Sequence, residues 1–137
     1  MIAIRRLRSL CAALPVVLAT ALPALAQLPS AAPPPRRPGD ERQVVVRLAY
    51  VLGEAHALRR LCAGPADATW YGKMQHLLAQ EASDEVSRRQ LVEGFNAGYA
   101  ASQAEFTACG PRSEAAEHAV AEQGRGLALR LANAGAE

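Results

Sequence analysis

The chain has 137 residues, of which 50% are apolar, 20% charged and only 4% aromatic. That is one small domain's worth of protein, too short for a two-domain enzyme, and no stretch of roughly eighteen uninterrupted apolar residues is present to span a bilayer. The formal charge of +2 is placed away from the folded part: Arg5, Arg6 and Arg8 sit at the extreme N-terminus, and from Asp40 onward ten basic residues face thirteen acidic ones, a net of −3. A nucleic-acid binder concentrates positive charge on its folded surface, so nucleic acid is excluded as a partner.

Met1 to Ala26 has the three parts of a secretory signal peptide. The three arginines form the positive start, and Leu10 to Leu25 is the apolar stretch, interrupted by Pro15 and Pro23 and short for a spanning helix. Ala24-Leu25-Ala26 supplies small residues at the two positions a signal peptidase reads, which places cleavage between Ala26 and Gln27. The expected location is therefore the periplasm or beyond it, with no stable membrane span after cleavage. Residues 27–39 hold five of the nine prolines (Pro29, Pro33, Pro34, Pro35 and Pro38). Proline fixes φ and removes backbone donors, so this stretch reads as an extended, disordered spacer, a tether first and a docking peptide second.

Residues 40–137 read as an all-α domain, because apolar residues recur every three or four positions and never in sustained alternation. In the first segment Val44, Leu48, Val51, Ala55, Leu58 and Cys62 form the inward stripe, with Asp40 and Glu41 at the positive end of the dipole and Gly64-Pro65 as the stop. A short second segment, capped by Asp67, shows Trp70, Met74, Leu77, Leu78 and the stem of Glu81 on one face. Ser83 or Asp84 caps the third, whose stripe of Val92, Phe95, Tyr99, Ser102, Phe106 and Cys109 runs up to Gly110-Pro111. Ser113 caps a fourth, with Ala116, Val120, Leu127 and Leu131 inward and a weak point or kink at Gly124 and Gly126. Short connections favour antiparallel neighbours, hence a small up-down bundle of four helices. Gly94 and Gly98, one turn apart, mark where another helix comes nearest.

After leader removal Cys62 and Cys109 are the only cysteines. An even pair in an exported chain reads as a disulfide. In an up-down-up order both lie at the same pole. A redox-active pair is disfavoured, because helix C-terminal ends destabilise thiolate and no Cys-x-x-Cys is present.

No catalytic set assembles from the sequence. His56, His76 and His118 share a height in the bundle, but helical geometry points them away from the apolar stripes, so they read as surface histidines rather than a zinc site. No metal or cofactor is implied. Glu81 is the best-placed carboxylate for acid–base work, although a snorkelling glutamate at a helix end accounts for it more simply. Asn96 and Tyr99 lie beside the third stripe as a buried hydrogen-bonded pair or part of a recognition surface. Trp70, Glu81, Asn96 and Tyr99 together make up the candidate partner-binding surface.

The stretch from Leu91 through Phe95-Asn96-Ala97-Gly98-Tyr99, with Phe106-Thr107-Ala108-Cys109, Leu61-Cys62, Trp70, Met74 and Leu77, resembles a family of small exported alphaproteobacterial proteins of unknown function. The likeness covers roughly Leu48 to Leu131, with Gly124-Arg125-Gly126 richer in glycine than the family pattern. It implies export, an all-helical domain and paired cysteines, and carries no activity with it.

The function expected from these features is a non-enzymatic periplasmic interaction module that binds an envelope protein or a cell-wall component. One alternative is a small envelope hydrolase or metal-dependent enzyme using Glu81 and His76. Another is a self-associating structural protein with Gly94 and Gly98 at its seam.

Overall fold

A computed structural model describes residues 38–135. The expected signal peptide, the expected Ala26–Gln27 cleavage site and the expected spacer up to residue 37 lie outside the described residues. Four helices follow one another: α1 Pro38–Ala63, α2 Thr69–Glu81, α3 Glu85–Glu105 and α4 Pro111–Ala134. No strand occurs among the described residues, and none of their helices is long and apolar enough to cross a membrane.

The turns follow from local chemistry. Gly64 ends α1 at φ +99°, a left-handed conformation that residues with a Cβ rarely adopt. The N-cap position of α2 is Ala68 rather than Asp67, which stands two residues before the helix with its Oδ1 accepting from the Thr69 N–H at 3.0 Å. Asp84 is the N-cap of α3 and accepts from the Ser87 N–H at 2.7 Å. Ser113 departs from expectation. It sits inside the first turn of α4, where its hydroxyl accepts from the Gly110 N–H and donates to the Gly110 carbonyl. Gly110-Pro111 therefore opens α4, with Gly110 as N-cap and Pro111 at a position that needs no donor.

α1 is the hub, the helix against which each of the other three packs. Val45, Ala49, Leu52 and His56 are buried in addition to Leu48, Val51, Ala55 and Leu58. A helix apolar on more than one face is what a central position demands. α3 runs parallel to α1, and small residues let the two backbones touch. A Cβ on Gly98 would lie 2.0 Å from the Tyr50 carbonyl oxygen, one on Gly53 would lie 2.0 Å from that of Phe95, and one on Gly94 would meet Val46 O at 3.2 Å. Gly94 and Gly98 thus do mark the closest approach. The helix they meet is α1 of the same chain, which takes up the face that a self-associating seam would need. The inward stripe of α3 is Ser87, Leu91, Phe95, Gly98 and Ser102. Val92, expected inside, is exposed, because the seam is centred on the glycines and the stripe is turned by one residue.

α4 continues as one helix through Gly124 and Gly126. Gly124 is buried with its Cα side against the Val51 side chain, so packing supplies the reason for a glycine there. Arg42 of α1 donates to the buried Ser87 hydroxyl at the start of α3. At the opposite pole Cys62 and Cys109 form a disulfide with Cα atoms 4.9 Å apart. α3 ends four residues before Cys109, which lies in an exposed connection, while Cys62 is half-buried on α1.

Two outcomes are expected. A Gly98→Ala variant, which drives a methyl into a backbone carbonyl, should lose about 2 kcal/mol or more by denaturant unfolding. Gly126→Ala, with open space around it, should gain up to about 1 kcal/mol. The 47-residue separation of the cysteines corresponds to about 4 kcal/mol in the chain-entropy account, so reduction should lower the thermal midpoint markedly, and mass spectrometry should register the gain of two hydrogens.

Candidate functional site

Two concave regions flank α1. The first lies between α2 and α4, which run side by side over α1 without packing on each other. Leu48 and Leu52 of α1 form its floor, Trp70 and Leu77 one wall, and the short side chains of Ala121, Gly124 and Ala128 the other. Its volume is about 450 Å³, within the range of ligand and peptide clefts. Lys73 and His76 stand on the α2 rim, Glu122 and Arg125 on the α4 rim, and the last two pair with each other along the helix.

Trp70 closes the end of this groove nearest the disulfide. Its indole N–H lies 3.5 Å from Glu117 Oε1 on α4, and the Lys73 ammonium sits 5.6 Å over its ring. Arg59 lies between Glu117 at 3.8 Å and Asp67 at 3.4 Å. Asp67 is held below the usual carboxylate range, chiefly by the Thr69 backbone N–H and further by Arg59. One polar cluster therefore ties the tops of α1, α2 and α4 together.

The second region is a recess of about 400 Å³ between the C-terminal halves of α1 and α3. Leu61 and Phe106 give it apolar surface, while Tyr99, Gln103 and Thr107 bring hydroxyl and amide groups and Arg60 a guanidinium. The Gln103 amide donates to the Tyr99 hydroxyl at 3.3 Å.

Between these regions lies a group that helical periodicity misplaced. His56, expected on the surface, is only 7% exposed. Its ring is 6.0 Å from that of Tyr71 on α2, and 5.7 Å and 5.6 Å from those of Phe95 and Tyr99 on α3. Its Nδ1 is buried with no hydrogen-bond partner. Burial pushes the imidazole below its ordinary pKa, Arg60 one turn further along α1 adds to the effect, and Asp67 opposes it. The reason for the correction is that α1 carries a second inward stripe, Val45–Ala49–Leu52–His56, because it has neighbours on more than one side. Glu54, half-buried on the same helix, is likewise pushed up by burial.

The other residues singled out from sequence do not form one surface. Trp70 belongs to the α2–α4 groove and Tyr99 to the α1–α3 recess. Glu81 is exposed and borders a small depression with Glu41, Arg42 and Val45. Asn96 is exposed and Tyr99 half-buried, so they are not a buried pair; the partner of Tyr99 is Gln103. Glu81 and His76 open onto different depressions, which leaves the hydrolase reading without a shared site. His76 and His118 are exposed, as expected. Among the described residues the only trio of metal-ligand types is Cys62, Cys109 and Glu114, and its sulfurs are joined to each other. Sequence reasoning missed Arg60, Gln103 and Gly53. Arg60 had no signal, being one arginine among fourteen, whereas Gly53 stood in an otherwise apolar run.

The buried imidazole sets a pH dependence. With its native value depressed below that of the unfolded chain, near 6.5, His56 contributes stability that is complete above that value and is lost as pH falls toward the native value. Between about pH 7 and 5 the unfolding midpoint of the protein should therefore fall more steeply than that of His56→Met. Parallel slopes would show that the imidazole is solvated.

Neither curated proteins nor solved structures provide a match to the chain. The family described as "Protein of unknown function (DUF2385)" matches residues 41–134, which takes in nearly all of the four-helix domain. With the bundle, the half-buried Trp70 and the Cys62–Cys109 bridge inside the matched span, this chain belongs to the DUF2385 family.

Proposed function

We propose that the protein is exported and acts in the periplasm as a non-enzymatic binding module, seating an amphipathic helix of an envelope protein in the groove between α2 and α4. The single observation carrying this reading is the gap itself. Two helices lie over Leu48 and Leu52 with about 450 Å³ between them, the geometry in which a third helix lays down an apolar stripe. The small residues of the α4 wall allow close approach, and Trp70 offers a large anchor surface at one end. Lys73 and Arg125 on the two rims suit acidic residues flanking the partner's stripe. Export is supported by the leader pattern and by the cysteine pair, which suits an oxidising compartment.

A photo-reactive residue at Gln80, which lines the groove, tests this in intact cells. The expected result is an adduct whose partner peptide has apolar residues at three- and four-residue spacing. The same residue at Gln75, exposed on α2 and outside the groove, should give none. Ala128→Trp, which fills the groove, should abolish the adduct while leaving the thermal midpoint within a few degrees of the parent. Equal adducts from both positions, no effect of Ala128→Trp, or an adduct to glycan alone would refute it.

A further inference from the structure

The recess between α1 and α3 has a composition that the rest of the surface lacks. Arg60 is half-buried, lines the cavity and has no carboxylate within ion-pair distance among the described residues. Four other cations have side-chain partners: Arg59 faces Asp67 and Glu117, Arg112 faces Glu105, Arg125 faces Glu122, and Arg42 donates to Ser87. No acidic residue lines the recess. A solvent-reached guanidinium with no carboxylate beside it keeps its donors free to exchange water for a ligand, in a planar fork that matches a carboxylate.

Around it stand further donors, the Tyr99 hydroxyl, the Gln103 amide and the Thr107 hydroxyl, on a base of Leu61 and Phe106. Polar groups at one side and apolar surface beneath are the layout of a site for a small molecule with a charged head and an aliphatic or aromatic body. Phe106 is itself held from outside by the Arg112 guanidinium, 5.1 Å over its ring. The disulfide fixes the end of the recess by joining the residue after Leu61 to the loop that carries Thr107. The walls are therefore positioned before any ligand arrives.

We propose that this recess binds a small monocarboxylate, with its carboxylate on Arg60 and its hydrocarbon portion against Leu61 and Phe106. The site is separate from the α2–α4 groove, shares no lining residue with it, and stands whether or not a partner helix binds there. His56 reports on it from behind. The groups facing that imidazole are Arg60 on α1, Asp67 in the following loop, Tyr71 on α2 and Tyr99 on α3. Neutralising Arg60 with a bound carboxylate removes a repulsion, so His56 titrates at higher pH when the site is filled.

The test uses the isotope-labelled oxidised protein and hexanoate, with isosteric hexanamide as the uncharged control. Hexanoate should shift the Tyr99 and Gln103 signals saturably with a dissociation constant on the order of 1 mM. It should bind about tenfold or more weakly to Arg60→Gln, and it should raise the His56 titration midpoint. Hexanamide should do none of these. Failure to saturate, equal binding of the amide, or undiminished binding to Arg60→Gln would overturn the proposal. Should Arg60→Gln fail to fold, Arg60→Lys, which keeps the charge and loses the fork, should weaken binding, and the acid–amide comparison on the parent protein decides the question on its own.

Discussion

The contact on which the structure depends is the backbone-to-backbone seam between α1 and α3. At Gly53 and Gly98 each helix occupies the space in which the other would otherwise carry a Cβ, so the two axes lie closer than side chains with any branch would allow. With only two phenylalanines and one tryptophan in the whole chain, a core of this size cannot rely on large side chains to fill wide gaps. Close approach replaces them: narrow spacing lets alanine, serine and valine exclude water where leucine and phenylalanine would be needed at ordinary helix separations. The disulfide then secures one end of that seam.

Placing α1 at the centre also determines where hollows occur. With neighbours on three sides of it, α1 holds the backbones of α2 and α4 apart, and they meet through side chains where Trp70 reaches Glu117. The α2–α4 groove follows from that spacing, whereas the recess opens beside the packed α1–α3 pair; both have α1 side chains in their linings, Leu48 and Leu52 in one and Leu58 and Arg60 in the other. The aromatic cluster around His56 is where α2 reaches past α1 to touch α3, and it lies between the two hollows.

Much of this was legible in the residues. Four helices, the stop at Gly64, the cap at Asp84, the cysteine pairing and the close approach at Gly94 and Gly98 all follow from local chemistry, which acts over a few positions; Gly110-Pro111, read as the stop of α3, instead opens α4, because α3 ends at Glu105. What escaped were features set by how many neighbours a helix has. Periodicity finds a stripe, and α1 has two, so His56 was assigned to solvent. It also counts apolar side chains, and a glycine seam has none, so the α3 stripe was turned onto Val92 instead of Leu91. Ser113 was read as a cap standing before its helix because the sequence does not show that Pro111 already lies inside it. The proposed groove mixed residues from separate hollows, since membership of a cavity depends on interhelical placement that no single helix encodes.

The bridge between Cys62 and Cys109 acts at one pole alone. At the other, α1 and α3 are joined by the side-chain hydrogen bond from Arg42 to Ser87 and by the packing around Leu91. The covalent constraint is therefore lopsided: separation of α1 from α3 is opposed by a bond at one end and by packing and polar contacts at the other. The α2–α4 groove runs between these extremes, with Trp70 at its bridged end and Gln80 and Ala128 toward the other. The elongated occupant proposed for the groove would enter from the end away from the bridge, with the glycine seam behind it staying shut.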